Sequence, residues 1–391
     1  MYWFFAALVI SALSVEAETY GDWQYEVRPY LGGIVGATIT GYTGSGGEVT
    51  FPNSINGVPV KQVGGGAPVF GFSHNYSVTN IIIPDNVTTI FAGAFCGCKG
   101  LTSIIIPSSV TSIGVHAFQE SGLTTISISS GLNSINGRAF FRCLGLTNII
   151  VDPANPFYSA IDGVLYDKYK TTVVACPANK IGSFAIPSSV TSIGEYAFNW
   201  CTLLTDITIP NSVTTIEANA FEMCSLANIT IPNSMTQIGE YAFYGCSSLT
   251  SISLPASVTY LGESTFEGCS KLNEIYFLGD ALKSSNSLNK IPANTLIYIN
   301  PNAVGWSSYN LSGHPLKLIL PKINSLDIDK TSNTNRKSLK FKTYSGINYT
   351  IEKSTDLKIW ANQASLVGDG SEITFTDDST NDRAFYRLMQ H

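Results

Sequence analysis

Eight cysteines are the residues of this 391-residue chain best suited to chemistry, and their spacing decides what that chemistry could be. Six of them, Cys98, Cys143, Cys201, Cys224, Cys246 and Cys269, stand three residues after a phenylalanine in a recurring F-x-x-C string. A zinc site needs four ligands that converge on one point, whereas residues recurring at one position of a repeat line up in a row. Neighbours in such a row come within Cα reach of a disulfide, but parallel side chains hold their Cβ atoms near 4.8 Å, beyond the ~3.8 Å that a disulfide prefers. Buried free thiols are therefore expected at all six, with sporadic disulfides as the alternative. Cys96 alternates to the opposite side of Cys98, and Cys176 falls outside the repeat position. The four histidines, His74, His116, His314 and His391, are scattered; His116 occupies a variable repeat position held elsewhere by Tyr196, Asn219 and Tyr241. Asp162, Asp167 and Asp206 have no partner carboxylate at a defined spacing, and no G-x-S-x-G elbow is present. No catalytic residue, metal ligand set or cofactor site is assigned, and an enzyme is the least favoured reading.

The elements that carry these residues are copies of one line. It reads LTSIIIPSSVTSIGVHAF from Leu101, and recurs from Leu204, Leu226 and Leu249. A column of prolines, Pro52, Pro84, Pro107, Pro153, Pro187, Pro210, Pro232 and Pro255, with Ser130 in phase, marks about nine coils, most of them 22 or 23 residues long. A unit this short cannot close a core around itself, so units must stack and share one. Within each unit L-x-x-I-x-I alternates as a half-buried strand, and the proline ends pairing because it has no N–H to donate. V-T-S-I-G then supplies a second short strand and a turn, and A-F-x-x-C reads as one helical turn. The phenylalanines Phe95, Phe118, Phe140, Phe198, Phe221, Phe243 and Phe266 are expected to form a buried ladder, each ring contributing roughly 2–3 kcal/mol. The expected fold is thus a repeat solenoid, a right-handed superhelix, β-rich with one short helical turn per coil, plus a small C-terminal all-β module.

These residues resemble the BspA-like branch of leucine-rich-repeat proteins, whose repeats look like L-t-s-I-t-I-P-x-s-V-t-s-I-g-x-x-A-F-x-g-C. The match runs over residues 20 to about 318 and is renewed in almost every coil. GATITGYTG with VTFPNSINGVPVKQV looks like the family's first coil, SAIDGVLYDKYKTTVVACP like its recurrent insertion, and LIYINPNAVGWSSYNLSGHP like a common terminal segment. The resemblance implies a secreted or surface-displayed protein, concerned in several members with adhesion and with binding host or matrix proteins. It brings no shared catalytic residues.

The expected organisation is a signal peptide over 1–17, a solenoid over 18–320 and a β module over 321–391. Within the solenoid lie an opening N-terminal coil (20–77), an insertion at about 154–178 that reads as a hairpin, and a terminal segment (277–320). Residues 1–17 are an apolar run ending Val15-Glu16-Ala17, which suits signal-peptidase cleavage. No Lys or Arg precedes the run, and an uncleaved anchor is the alternative, although the run is shorter than the ~20 residues of a span. No later stretch could span a bilayer. A net charge of −6 gives no basic footprint for nucleic acid. With 44% hydrophobic and only 13% charged residues, the chain reads as ordered. Beyond Leu320 a linker-like stretch leads to strands SLKFKT, INYTIEKS, EITFTD and RAFYRLM, with Trp360 as a core candidate and Asp369-Gly370 as a hairpin turn. Tyr349, Trp360 and Tyr386 are either core aromatics or a platform for a glycan, and the module is also a candidate cap for the last solenoid edge.

In a solenoid of this type the outward residues of the strands form one exposed face. The third unit position includes Asn80, Ser103, Asn148, Asp206 and Asn228; the fifth includes Ile82, Ile105, Ile150, Thr208 and Thr230. These ten residues are the candidate binding face. Its first half is aliphatic, which signals either a contact surface or cover by the N-terminal segment. The functional expectation is a secreted or cell-surface protein that binds a protein or extracellular-matrix partner through this face. The alternative is a structural envelope or matrix component without a specific partner.

Overall fold

The computed structural model describes residues 18–29, 35–64, 72, 74–282, 287–288, 290–300, 303–306, 314, 316–318, 323–329, 336–343, 348–355, 358–369, 371–377 and 385–390. The signal segment 1–17 lies outside the described residues. The chain forms two compact units, Met1–Gly145 with Ile149–Phe157, and Leu146–Asn148 with Tyr158–His391.

In the first unit each coil contributes one strand to each of two parallel sheets. The outer sheet runs Gly47–Thr50, Val78–Ile82, Ser103–Ile106, Thr125–Ile128 and Asn148–Val151. Its apolar residues alternate inward, so Ile104, Ile106, Ile126 and Ile128 are buried. The second sheet stacks the two-residue strands Thr89–Ile90, Ser112–Ile113 and Ser134–Ile135, and begins with Val35–Tyr42 and Val58–Val63. Strands Glu18–Tyr20 and Trp23–Pro29 extend that second sheet antiparallel to Val35–Tyr42. Phe72, Phe95, Phe118 and Phe140 stack along the core with centroids 5.4–5.9 Å apart.

The second unit opens with the insertion, a three-strand antiparallel meander of Tyr158–Ile161, Val164–Asp167 and Thr172–Ala175, one strand more than the expected hairpin. Asp167 closes the second turn by accepting from the backbone N–H of Thr171 and Thr172 and from the Thr171 hydroxyl at 2.6–2.8 Å. Thr172–Ala175 then starts a parallel sheet with Ser192–Ile193, Thr215–Ile216, Gln237–Ile238 and Tyr260–Leu261. The phenylalanine ladder of this unit, Phe198, Phe221, Phe243 and Phe266, has centroids 5.1–5.8 Å apart and ring planes within 13° of parallel.

The outer sheet of the second unit is not continuous, contrary to expectation. Gly182–Ala185 pairs with Leu204–Thr208, and Ser251–Leu254 with Glu274–Phe277, Leu296–Ile299 and Leu316–Leu318, but residues 226–231 between them join neither sheet. That coil is one residue short between Cys224 and Leu226. The same shortening between Ser121 and Leu123 leaves Thr125–Ile128 paired, so length alone does not explain the break. The strands after Phe277 show that stacking continues past the last proline of the column.

The expected helical turn appears as a 3-10 helix only at Gly137–Phe140 among the described residues. Elsewhere the backbone divides its donors. Ala197, Asn199 and Cys201 donate three residues back within the turn, while Tyr196, Phe198 and Trp200 donate to Ala218, Ala220 and Glu222 of the next coil at 2.7–3.2 Å. Alternate N–H groups are thus spent between coils, leaving too few for a helix. The geometry places the second residue before the phenylalanine, and the second after it, in the left-handed region: Tyr196 and Trp200 at φ 59°, Asn219 at 56° and Met223 at 60°. Gly239 and Gly262, expected at the turn itself, have no such φ. They are small because an added Cβ would meet the preceding coil's backbone at 2.5 and 2.2 Å.

The C-terminal module is two antiparallel three-stranded sheets, Ile323–Asp329 with Arg336–Lys342 and Glu372–Asp377, and Ala361–Val367 with Asn348–Ser354 and Phe385–Gln390. A strand therefore runs through the stretch read as a linker. The Asp369 turn does not close a hairpin, because Ala361–Val367 and Glu372–Asp377 belong to different sheets. Leu339, Phe341, Tyr349, Ile351 and Leu388 are buried in this module. Leu278 of the solenoid packs into the cluster formed by Phe341, Tyr349, Ile351 and Leu388, with the stacked pair Tyr276–Tyr298 beside it. The module thus seats on the outward strand face, and among the described residues no module strand pairs with Leu316–Leu318.

Candidate binding face

Strand alternation sends the third and fifth residues of each coil outward. In the first unit Ile82, Ile105 and Ile150 are 44, 72 and 48% exposed, on strands of a single sheet in which Thr50 pairs with Ile82 and Ile105 with Ser127. Asn80 and Ser103 are paired in register beside them, and the Asn80 amide donates to Glu48 at 2.9 Å. The described N-terminal strands lie at the end of the other sheet, so residues 18–29 and 35–42 do not cover the aliphatic side chains. Asn148 is exposed on the strand that carries Ile150.

In the second unit Asp206 and Thr208 are exposed on Leu204–Thr208, and Asn228 and Thr230 are exposed in the unpaired coil. The ten candidate residues therefore do not form one unbroken sheet. Asn228 and Thr230 instead line a cavity of about 590 Å³ whose far wall is the module's Thr343, Asp369 and Ser371.

The module's aromatics are not a free platform for a sugar ring. Tyr349 is 1% exposed in the core, the Tyr386 hydroxyl donates to the Asp377 carboxylate, and the Arg387 guanidinium lies 4.3 Å over the Trp360 ring. Asp377 also accepts from Lys353 at 2.6 Å, and burial pushes the Tyr386 phenol above its ordinary range. Trp360 is half-buried under Arg387, outside the core cluster for which it was a candidate.

The cysteine column is buried and bonded. Cys98, Cys143, Cys224, Cys246 and Cys269 each donate to the carbonyl of a phenylalanine one coil back, Phe72, Phe118, Phe198, Phe221 and Phe243, at 2.8–3.1 Å. Burial pushes the Cys98 and Cys143 thiols up to about 12 and raises Cys224 as well. Cys201 is raised by the hydrogen bond it donates to Cys176 and by burial. The column's thiols are structural donors, and in Cys98, Cys143, Cys201 and Cys224 the raised pKa disfavours the thiolate form that reacts. A second column escaped the sequence reading. Thr111, Thr214, Thr236 and Thr259 each donate through both N–H and Oγ1 to the threonine carbonyl one coil back. Its signal was visible as the recurrent T of V-T-S-I, replaced by Asn133 in one coil.

Shared strand ladders, a phenylalanine core and an outward strand face define a leucine-rich-repeat solenoid. The chain belongs to the BspA type leucine-rich repeat family, whose six-copy model matches residues 68–161 and 174–300, more than half the sequence. Among solved structures it is similar to the pneumococcal vaccine antigen PcpA (TM-score 0.52, 20% identity, 79% of this chain and 99% of that one). It is also similar to a leucine-rich repeat protein of Eubacterium ventriosum (TM-score 0.50, 22% identity, 78% of this chain and 84% of that one). At these identities the likeness concerns the fold. No curated protein matches the chain. No helix among the described residues is long and apolar enough to cross a membrane, and no group of three or more His, Cys, Asp or Glu among them could hold a metal ion.

Proposed function

We propose that the protein is exported and acts at or outside the cell surface, binding a protein or extracellular-matrix partner through the outward strand face of its first unit. The observation that carries this reading is the adjacent pair Ile82 and Ile105, with Ile150 beyond Ser127, three large aliphatic side chains left in water on one parallel sheet. A contiguous exposed apolar patch costs solubility unless a partner covers it. Asn80, Ser103 and Asn148 supply the polar rim that interfaces place around such a centre. Similarity to PcpA, a vaccine antigen, supports a surface location, as does the apolar segment ending at Ala17.

Binding is measured by biolayer interferometry of residues 18–391 against immobilised fibronectin, laminin and collagen, then against partners cross-linked on intact cells. Interface energy concentrates in few central residues. Ile82→Lys with Ile105→Lys should therefore weaken the partner at least tenfold, about 1.4 kcal/mol, at unchanged melting temperature. Unchanged affinity, with changes in 322–391 abolishing it instead, would move the role to the module. Concentration-dependent self-assembly without any partner would support the structural-component reading.

A further inference from the structure

The break in the outer sheet of the second unit leaves backbone polar groups without a ladder. Ile229 and Ile231 keep their side chains in the core, so residues 228–231 still run as a strand would. Yet no hydrogen bond links the backbone N–H of Asn228, Ile229, Thr230 or Ile231 to a described residue, and none reaches their carbonyls. Peptide groups in this state are normally satisfied by something else. The cavity of about 590 Å³ opens over this segment, inside the ~300–1,000 Å³ usual for small-molecule sites.

The side chains around it share one chemistry. Asn211, Asn228, Thr230 and Ser253 face it from the solenoid, and Asp369 and Ser371 from the module, with Pro232, Pro255 and Leu278 as apolar surface. The lining holds no Lys, Arg or His. Asp369 Oδ1 accepts from the Ser371 N–H at 2.8 Å and the Ser371 hydroxyl at 2.6 Å, with the Thr343 hydroxyl at 3.5 Å, and no described residue donates to Oδ2. Asn228 Oδ1 accepts from the Thr250 hydroxyl at 3.5 Å, and its Nδ2 donates to no described residue.

We infer that this groove is a binding site for a neutral, hydroxyl-rich ligand, a short oligosaccharide, held between the unpaired coil and the Asp369 turn. A hydroxyl both donates and accepts, so one ligand type satisfies the Asn228 amide, the Thr230 and Ser253 hydroxyls and the Asp369 carboxylate together. An anionic ligand would meet the Asp369 charge with no cation to offset it. An added peptide strand needs about 4.8 Å beside the free segment, and the neighbouring coil is held against it by Thr250 N–H to the Ala227 carbonyl at 3.1 Å.

The test is titration calorimetry of the full chain against maltotriose, cellotriose, mannotriose, xylotriose and N-acetylchitotriose, with trigalacturonate and an extended hexapeptide as comparators. At least one neutral trisaccharide should bind, and Asn228→Ala with Ser253→Ala, or Asp369→Asn, should weaken it tenfold or more. Thr230→Val keeps shape and strand preference while removing one hydroxyl, so it reads the site if the double variant fails to fold; it should weaken binding several-fold. The inference is overturned if no neutral trisaccharide binds at millimolar concentration, or if trigalacturonate or the peptide binds more tightly. Neutral binding that all these substitutions leave unchanged overturns it equally.

Discussion

Phe221 lies 5.1 Å from Phe198 and 5.3 Å from Phe243, with ring planes 7° and 3° from parallel, and is fully buried. Its removal empties space that rigid neighbouring coils cannot refill, so Phe221→Ala should cost about 3–5 kcal/mol in equilibrium denaturation. A loss under about 1 kcal/mol would contradict the ladder's role. The thiols lead to a pH prediction. The folded state holds Cys98 and Cys143 up to about 12 by burial, against an ordinary value of 9.0. Below pH 9 both states keep the proton and the contribution is fully present. Between about 9 and 12 the unfolded chain ionises first and binds fewer protons, so stability falls as pH rises through that window. Cys143→Ala should flatten this fall when urea midpoints are compared at pH 8 and 10.5. Parallel curves for the two proteins would show that the thiol ionises alike in both states.

At the scale of the element, period-two alternation and the proline column were enough to read the outer strands, because one side of each faces a core and the other water. The A-F-x-x-C turn was read as helical because its local pattern carries no trace of where its N–H groups go. That is decided by the next coil, which takes those of Tyr196, Phe198 and Trp200. The break at 226–231 was hidden for the same reason: LANITIP has the alternation of its neighbours, and pairing is a property of two strands. The face residues were legible, since Ile82, Ile105 and Ile150 are outward as the pattern demands; that Asn228 and Thr230 belong to a cavity was not, because its far wall lies over 100 residues further on. The threonine column is the simplest element to probe. Thr214 donates through N–H at 2.9 Å and Oγ1 at 3.4 Å to Thr191 and accepts from Thr236. Thr214→Val keeps shape and strand preference and removes only the Oγ1 bond, so a loss of about 0.5–1.5 kcal/mol is expected. A neutral result in chemical denaturation would reduce the column to a backbone ladder.

For the molecule as a whole, the seating of the module decides solubility. Leu278, 3% exposed, is buried against Phe341, Tyr349, Ile351 and Leu388, and Tyr276 and Tyr298 stack at 4.8 Å beside it. Ending the chain at Leu320 would uncover all three on one flat sheet. Residues 18–320 should self-associate at concentrations where 18–391 sediments as a monomer. A truncated protein that stays monomeric would show that the contact with Leu278 contributes little.

A stack of coils is also a device for carrying load, since a pull along its length passes from each coil to the next through the bonds that cross between them. Where the coil of Gly182–Ala185 meets that of Leu204–Thr208 there are three such seams: the outer strands, the two-residue strands and the turn backbone. At Asn228–Ile231 the first seam is open, and the pull runs through the other two and the phenylalanine core. The solenoid therefore has a hinge line built into its outer face. A pull along the second unit would open the groove at this line without parting a pair of outer strands there.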